Sequence, residues 1–267
     1  MHIRIFALMT VAALMSGQFV QAQDALDISR AAGEDLLERA EIEGSDEWET
    51  KLELGATLTD GNSDTVHTTA RLTTEKMHGS TLAQIVVEGA YGENRNRDDD
   101  GAKSTEKTVG NIGGSLTLKQ RFNGVYAYGN LTAEHDSMAE VDYRFMLGAG
   151  LGAFVVDEED FRFSIEAGLG YLFEEVNDIS DDYAIARFAE RMEYRLSETA
   201  KCWQMVEYLP KLSKFSNYML NGEIGADAAI NSDLSLGVVL KQKYDSTPGE
   251  GLKRSDTTLT AQMTIRL

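Results

Sequence analysis

The chain has 267 residues, 42% hydrophobic and 26% charged, with only two prolines. That composition supports a sizeable folded core and excludes collagen-like or low-complexity disorder. Its net charge of −19 opposes any extended contact with phosphate backbones, so nucleic acid is not an expected partner. The single cysteine, Cys202, excludes an intramolecular disulfide, a two-thiol redox motif and a cysteine-rich zinc site within one chain.

Residues 1–22 read as a secretory signal peptide: Arg4 precedes an apolar stretch from Ile5 to Met15, and Val20-Gln21-Ala22 supplies small residues for cleavage. The apolar stretch is too short to span about 30 Å of hydrocarbon as a helix, and no later stretch is long enough to do so. Export through a Gram-negative inner membrane is therefore expected. Cleavage leaves 24 basic against 44 acidic groups. Residues 23–47 read as an N-terminal periplasmic helix or linker, with Ile28, Ala32, Leu36, Leu37 and Ala40 recurring near helical spacing between Asp24 and Glu43.

From Trp48 the period changes to two, and residues 48–267 read as one domain. Trp48, Thr50, Leu52, Leu54, Ala56 and Leu58 alternate with Glu49, Lys51, Glu53, Gly55, Thr57 and Thr59, which gives a strand with one oily and one wet face. The cleanest cases are Tyr143, Phe145, Leu147, Ala149, Leu151, Ala153, Val155 and then Phe161, Phe163, Ile165, Ala167, Leu169, Tyr171, Phe173. Twelve such segments are predicted, at 48–59, 65–76, 81–92, 107–120, 125–135, 143–155, 161–173, 183–195, 201–209, 218–229, 234–244 and 255–267.

Connections after even-numbered segments read as short, as at Asn123-Gly124. Most others read as long, including 174–182 and 210–217, with Pro210 and Pro248 placed in loops. Short periplasmic turns alternating with longer extracellular loops are the mark of an outer-membrane barrel. About 11 residues at roughly 3.3 Å, tilted by about 40°, rise close to 28 Å, enough for an apolar band about 25 Å tall. Hydrocarbon cannot satisfy an open sheet edge, so the fold class predicted is a closed antiparallel transmembrane β-barrel of about twelve strands. Its partners are outer-membrane lipid and lipopolysaccharide, plus the assembly machinery during biogenesis. Glu190 and Glu207 are the two departures: each shares parity with apolar neighbours, which points to a bulge or to a position near an interface.

The polar parity supplies the lumen candidates Lys51, Glu53, His67, Arg71, Arg144, Arg162, Glu166, Arg187, Arg191, Glu223, Asp227 and Lys241. Both signs are present. Twelve strands lie between barrels filled by their own side chains and barrels with an aqueous channel. Paired charges closing the lumen and a polar passage for a small charged solute are both open at this point. Inward Gly148, Gly150, Gly152, Gly168 and Gly170 leave room for a large side chain or for water.

Trp48, Leu52, Leu54, Gly55 and Thr59, followed by Gly61-Asn62-Ser63-Asp64-Thr65, resemble the opening of the YdiY-like family of salt-induced outer-membrane proteins. Tyr143-Arg144-Phe145 with Gly148, Gly150 and Gly152, and Glu166, Gly168, Gly170 and Tyr171, resemble its later blocks. The resemblance implies an outer-membrane barrel linked to salt or osmotic conditions, and it carries no catalytic residue. A departure is the last residue, Leu267, where such barrels commonly end in Phe.

Catalytic chemistry finds one candidate run, Glu134-His135-Asp136-Ser137, but on a strand His135 points away from the lumen and Glu134 into it. The expectation is a non-enzyme, with an outer-membrane hydrolase as an alternative. No cofactor or metal is expected: the histidines lie on different elements, and Asn96, Asp98, Asp100, Gly101 and Glu106 miss the calcium-loop spacing by one residue. The functions expected are a narrow pore for small or ionic solutes, or a closed structural barrel.

Overall fold

A computed structural model describes residues 46–59, 64–97, 103–137, 139–248 and 254–267. The expected signal peptide, the helix expected between Asp24 and Glu43, Gly61-Asn62-Ser63 and residues 98–102 lie outside the described residues.

All twelve expected segments are strands: β1 Glu49–Thr59, β2 Asp64–His78, β3 Thr81–Arg97, β4 Lys103–Phe122, β5 Val125–Asp136, β6 Val141–Asp157, β7 Phe161–Val176, β8 Ile179–Arg195, β9 Ala200–Lys211, β10 Lys214–Ala229, β11 Leu234–Asp245 and β12 Ser255–Arg266. Each pairs antiparallel with its sequence neighbours, and β1 pairs with β12 to close the cylinder. The closing seam runs from Lys51 opposite Arg266 to Ala56 opposite Ala261.

Alternation decides which face looks out. On β6 and β7, Leu147, Leu151 and Leu169 are more than 60% exposed, while Met146 and Leu172 between them are buried. Exposed Leu116, Leu118, Leu131 and Ile165 extend the outward band over neighbouring strands. A monomeric soluble protein rarely leaves so large an apolar surface in water. With every strand paired, the same surface suits hydrocarbon. Outward Tyr91, Tyr143, Tyr171, Tyr208, Tyr218 and Tyr244 lie toward the end opposite the chain's first strand residue, as in the aromatic girdles that flank such a band.

The hairpins correct the loop reading. Asn123 and Gly124 adopt positive φ of 46° and 83°, the mirror-image turn that matches strand twist. Residues 174–182, expected as a loop, form the end of β7, a two-residue turn at Asn177-Asp178 and the start of β8. The stretch 210–217 likewise becomes strand on both sides of Leu212-Ser213. Polar runs such as Ser180-Asp181-Asp182 lack an oily face because the hairpin continues past the band into water. Pro210 is within β9 and not in a loop. It pairs with Tyr218 of β10, next to the bulge between Lys214 and Tyr218, and has no register partner on β8, where the ladder skips from Ile185–Lys211 to Phe188–Tyr208, the kind of irregular position that tolerates a residue without an N–H.

Closure is directly testable. In a Cys202→Ser chain, Leu54→Cys and Met263→Cys face each other across the seam and should crosslink within one chain, altering gel mobility under non-reducing conditions. Leu54→Cys with Leu147→Cys should give no intrachain product.

Candidate functional site

The interior is built from the inward parity of all twelve strands. It holds Lys51 and Glu53 on β1, Arg71 and His67 on β2, Arg144 on β6, Arg162 and Glu166 on β7, Arg187 and Arg191 on β8, Glu223 and Asp227 on β10 and Lys241 on β11. Sequence position alone does not say which of these meet.

Glu166, Arg187 and their neighbours meet at mid-barrel. Lys119 Nζ donates to Glu166 Oε1 at 3.0 Å, Arg187 Nη1 to Glu166 Oε2 at 2.6 Å, and Arg187 Nε to Glu207 Oε1 at 2.5 Å. Asn221 Nδ2 completes the run by donating to Glu207 Oε2 at 3.1 Å. The run reaches from β4 to β10, half the circumference of the cylinder. Its charged members are nearly inaccessible: Lys119 is 3% exposed, Glu166 8%, Arg187 3% and Glu207 1%.

Glycine makes this crossing possible. Lys119 and Glu166 lie on strands separated by β5 and β6, so their contact has to pass over the β6 wall. Tyr126 and Tyr128 of β5 lie in the same space. A Cβ at Gly152 would strike the Tyr126 ring, and one at Gly150 or Gly168 the Tyr128 hydroxyl. Tyr126 Oη donates to Glu166 at 2.7 Å, and Tyr128 Oη accepts from Arg187 at 3.0 Å. The Arg187 guanidinium also lies 5.1 Å from the Tyr128 ring centre, within cation–π range. The room that small inward residues leave is filled by two aromatic side chains.

Two further sets flank this girdle. Toward the β7–β8 hairpin, Arg144 bridges Glu134 at 2.7 Å and Glu174 at 2.6 Å, and Tyr183 Oη donates to Glu174 at 2.8 Å. Toward the opposite end, Arg71 lies 3.6 Å from Glu53 and also binds Glu88, Lys51 lies 3.5 Å from Glu75, and Arg191 binds Glu193 at 2.7 Å. A cavity of about 90 Å³ opens there, lined by residues including Lys51, Glu53, Arg71, Arg191 and Asp227. Arg162 is farther down, 2.9 Å from Asp157.

Lys119, Tyr126, Tyr128, Glu207 and Asn221 were not among the sequence candidates. Lys119 alternates with outward Leu116 and Leu118 on β4, so parity is a signal that could have found it. Glu207 was obscured because the apolar residues of β9 look inward: Trp203, Met205 and Leu209 are all buried. The β8–β9 register runs unbroken from Phe188–Tyr208 to Arg195–Lys201. There is no bulge at either carboxylate: Glu207 faces in, and Glu190 faces out. Trp203 Nε1 donates to Glu223 at 2.6 Å, which gives an inward indole a polar partner.

The Glu134–Ser137 run does not converge. Glu134 turns inward to Arg144, His135 is exposed on the outer face with Nδ1 3.0 Å from the Asp142 carbonyl oxygen, and Ser137 Oγ donates to the Gly110 carbonyl at 2.9 Å. Asp142, Glu175 and Asp178 bring carboxylates close together at an exposed hairpin end, an arrangement that is common on acidic surfaces.

Two stability predictions follow from the girdle. Arg187→Leu strands two buried carboxylates and should lower the unfolding free energy by about 3–5 kcal/mol, read from urea titration in detergent. Gly152→Val should cost about 1–3 kcal/mol by overpacking, and in a Tyr126→Ala background the same change should cost markedly less.

Comparisons with known proteins agree with this geometry. No characterised protein sequence matches the chain. Among solved structures, the NanC porin superposes with a TM-score of 0.53 at 8% identity, covering 81% of this chain and 100% of that one. The translocator domain of the autotransporter NalP from Neisseria meningitidis gives 0.47 at 14% identity, over 89% and 96% of the two chains. The outer-membrane phospholipase A from Escherichia coli gives 0.46 at 12% identity, over 81% and 89%. The first of these shows a shared barrel fold, and the other two carry no further argument. Residues 52–266 match the family described as "Protein of unknown function, DUF481", and the chain belongs to that family.

Proposed function

We propose that this chain is an outer-membrane envelope protein whose lumen is held shut to solutes and ions at mid-height by the Lys119–Glu166–Arg187–Glu207 girdle. The observation that carries this reading is the burial of Arg187, Glu166 and Glu207 on the inward face. In an open aqueous pore these groups would be wetted. A buried, mutually paired charge set is costly to open, because removing one partner leaves the other uncompensated. Salt screens such buried pairs weakly, so the girdle should hold across a wide range of ionic strength. That property suits the osmotic link which the family resemblance implies.

A second reading, a narrow pore for small charged solutes, is favoured by one observation: the cavity of about 90 Å³ at the β1 end is lined by charges of both signs. The same recording decides between the two. Refolded wild-type protein in planar bilayers should show no steady conductance steps, whereas Arg187→Ala combined with Tyr128→Ala should show them. Steady conductance from the wild type, unchanged in that variant, would overturn the closed-girdle reading in favour of the pore.

The outer-membrane location, export by the cleaved leader and insertion by barrel-assembly machinery belong to the same proposal. They are supported by the outward apolar band and by the alternating last strand Thr257, Leu259, Ala261, Met263, Ile265, Leu267. Envelope fractionation should place the mature protein with outer-membrane markers, with heat-modifiable gel mobility; recovery in the soluble periplasmic fraction would contradict it.

A further inference from the structure

The cavity at the β1 end lies beyond the girdle. Arg187 and Arg191 both face inward on β8, and Arg191 stands one further turn of the alternation toward the β8–β9 connection. Arg191 shares the cavity of about 90 Å³ with Gln84 of β3, Trp203 of β9 and charges of both signs, Lys51, Glu53 and Asp227 among them. At about 10–15 Å³ for each water-sized centre, the space suits a molecule of about six to nine non-hydrogen atoms.

Two polar atoms on its walls are unspent. Arg191 gives Nε and Nη2 to Glu193, both at 2.7 Å, and its Nη1 has no hydrogen-bond partner. Gln84 gives Nε2 to Glu75 at 3.0 Å, and its Oε1 has none. Neither side chain is open to bulk water: Gln84 is 3% exposed and the Arg191 side chain 11%. A buried polar group left unpaired is costly, so each of the two marks a contact still to be made. One is a cationic donor, the other a neutral acceptor, and their strands lie nearly opposite in the ring. The guanidinium edge suits a carboxylate. The amide oxygen suits an N–H donor such as an ammonium group. Walls that carry both signs favour a solute with both over an ion of one sign.

We propose that this cavity is a binding site for a small zwitterion of the amino-acid class, entered from the β1 end, with its carboxylate on Arg191 and its ammonium group toward Gln84. The inference rests on the closed-lumen reading in one respect: the girdle makes the site a blind pocket and not a station along a pore. Trp203 completes the wall, its indole held by Glu223, and gives the site a built-in reporter.

The test uses the full mature chain carrying Trp48→Phe and refolded in detergent, so that Trp203 is the only indole. Titration with L-alanine should change Trp203 emission saturably, and saturation-transfer NMR should detect the bound L-alanine methyl group. Gln84→Met and Arg191→Leu should each raise the half-saturating concentration about tenfold or more, with heat-modifiable gel mobility showing the barrel intact. Should Arg191→Leu fail to fold, Gln84→Met carries the test alone. Acetate and ethylammonium, each bearing one of the two charges, should also bind about tenfold more weakly than L-alanine. The proposal is overturned if L-alanine produces neither signal, if the folded variants bind it as the wild type does, or if acetate binds equally well, which would make the site one for anions. Swelling of proteoliposomes in L-alanine judges the closed lumen separately. Swelling alongside binding overturns the closed lumen and retains the site, whereas absence of binding overturns the site with or without swelling.

Discussion

The backbone's demand for hydrogen-bond partners in a medium without water governs this structure. Each strand has amides on both edges, and hydrocarbon offers them nothing. The only way to leave no edge among twelve strands is to join the first to the last, which the pairing of Lys51 through Ala56 with Arg266 through Ala261 accomplishes. Once the cylinder closes, the period of two sorts every side chain into an inside and an outside, and the sequence has to supply oil for one and chemistry for the other.

The inside is where the chain spends its charge. Twelve strands enclose more space than side chains of ordinary size fill. This interior is filled by pairing long charged residues across glycine-lined wall: Arg187 is reached from both Glu166 and Glu207, with Tyr126 and Tyr128 standing where Gly150, Gly152 and Gly168 leave space. Charges in such a position need near-complete pairing to be tolerated. The girdle's geometry is therefore a condition of the fold as well as the basis for the closed-lumen proposal.

Much of the fold was legible because the band imposes a strict alternation on β6 and β7, where Phe145, Leu147, Leu151, Ile165 and Leu169 leave no ambiguity. It blurred where the band stops. Ser180-Asp181-Asp182 carries no oily face, so an aqueous hairpin looked like a loop, and Pro210 looked like a loop residue because its ladder gap is invisible in sequence. The interior was half legible. Parity identified Glu166 and Arg187 as inward groups but could not say that Lys119 reaches Glu166 over two intervening strands, since that contact depends on glycines elsewhere. On β9 the rule that oily means outward failed, because Trp203, Met205 and Leu209 pack the interior and leave Gln204 facing out.

The central claim is a cylinder with one face in lipid and the other turned to a filled interior, and the measurement closest to it is a spin-label scan of β6 in liposomes. In a Cys202→Ser chain, labels at Phe145, Leu147, Ala149 and Leu151 should be quenched by oxygen dissolved in the bilayer and shielded from a water-soluble nickel reagent. Labels at Met146, Gly148 and Gly150 should be shielded from both wherever the barrel still folds. Uniform access of the nickel reagent along the strand, with no period of two, would contradict the account.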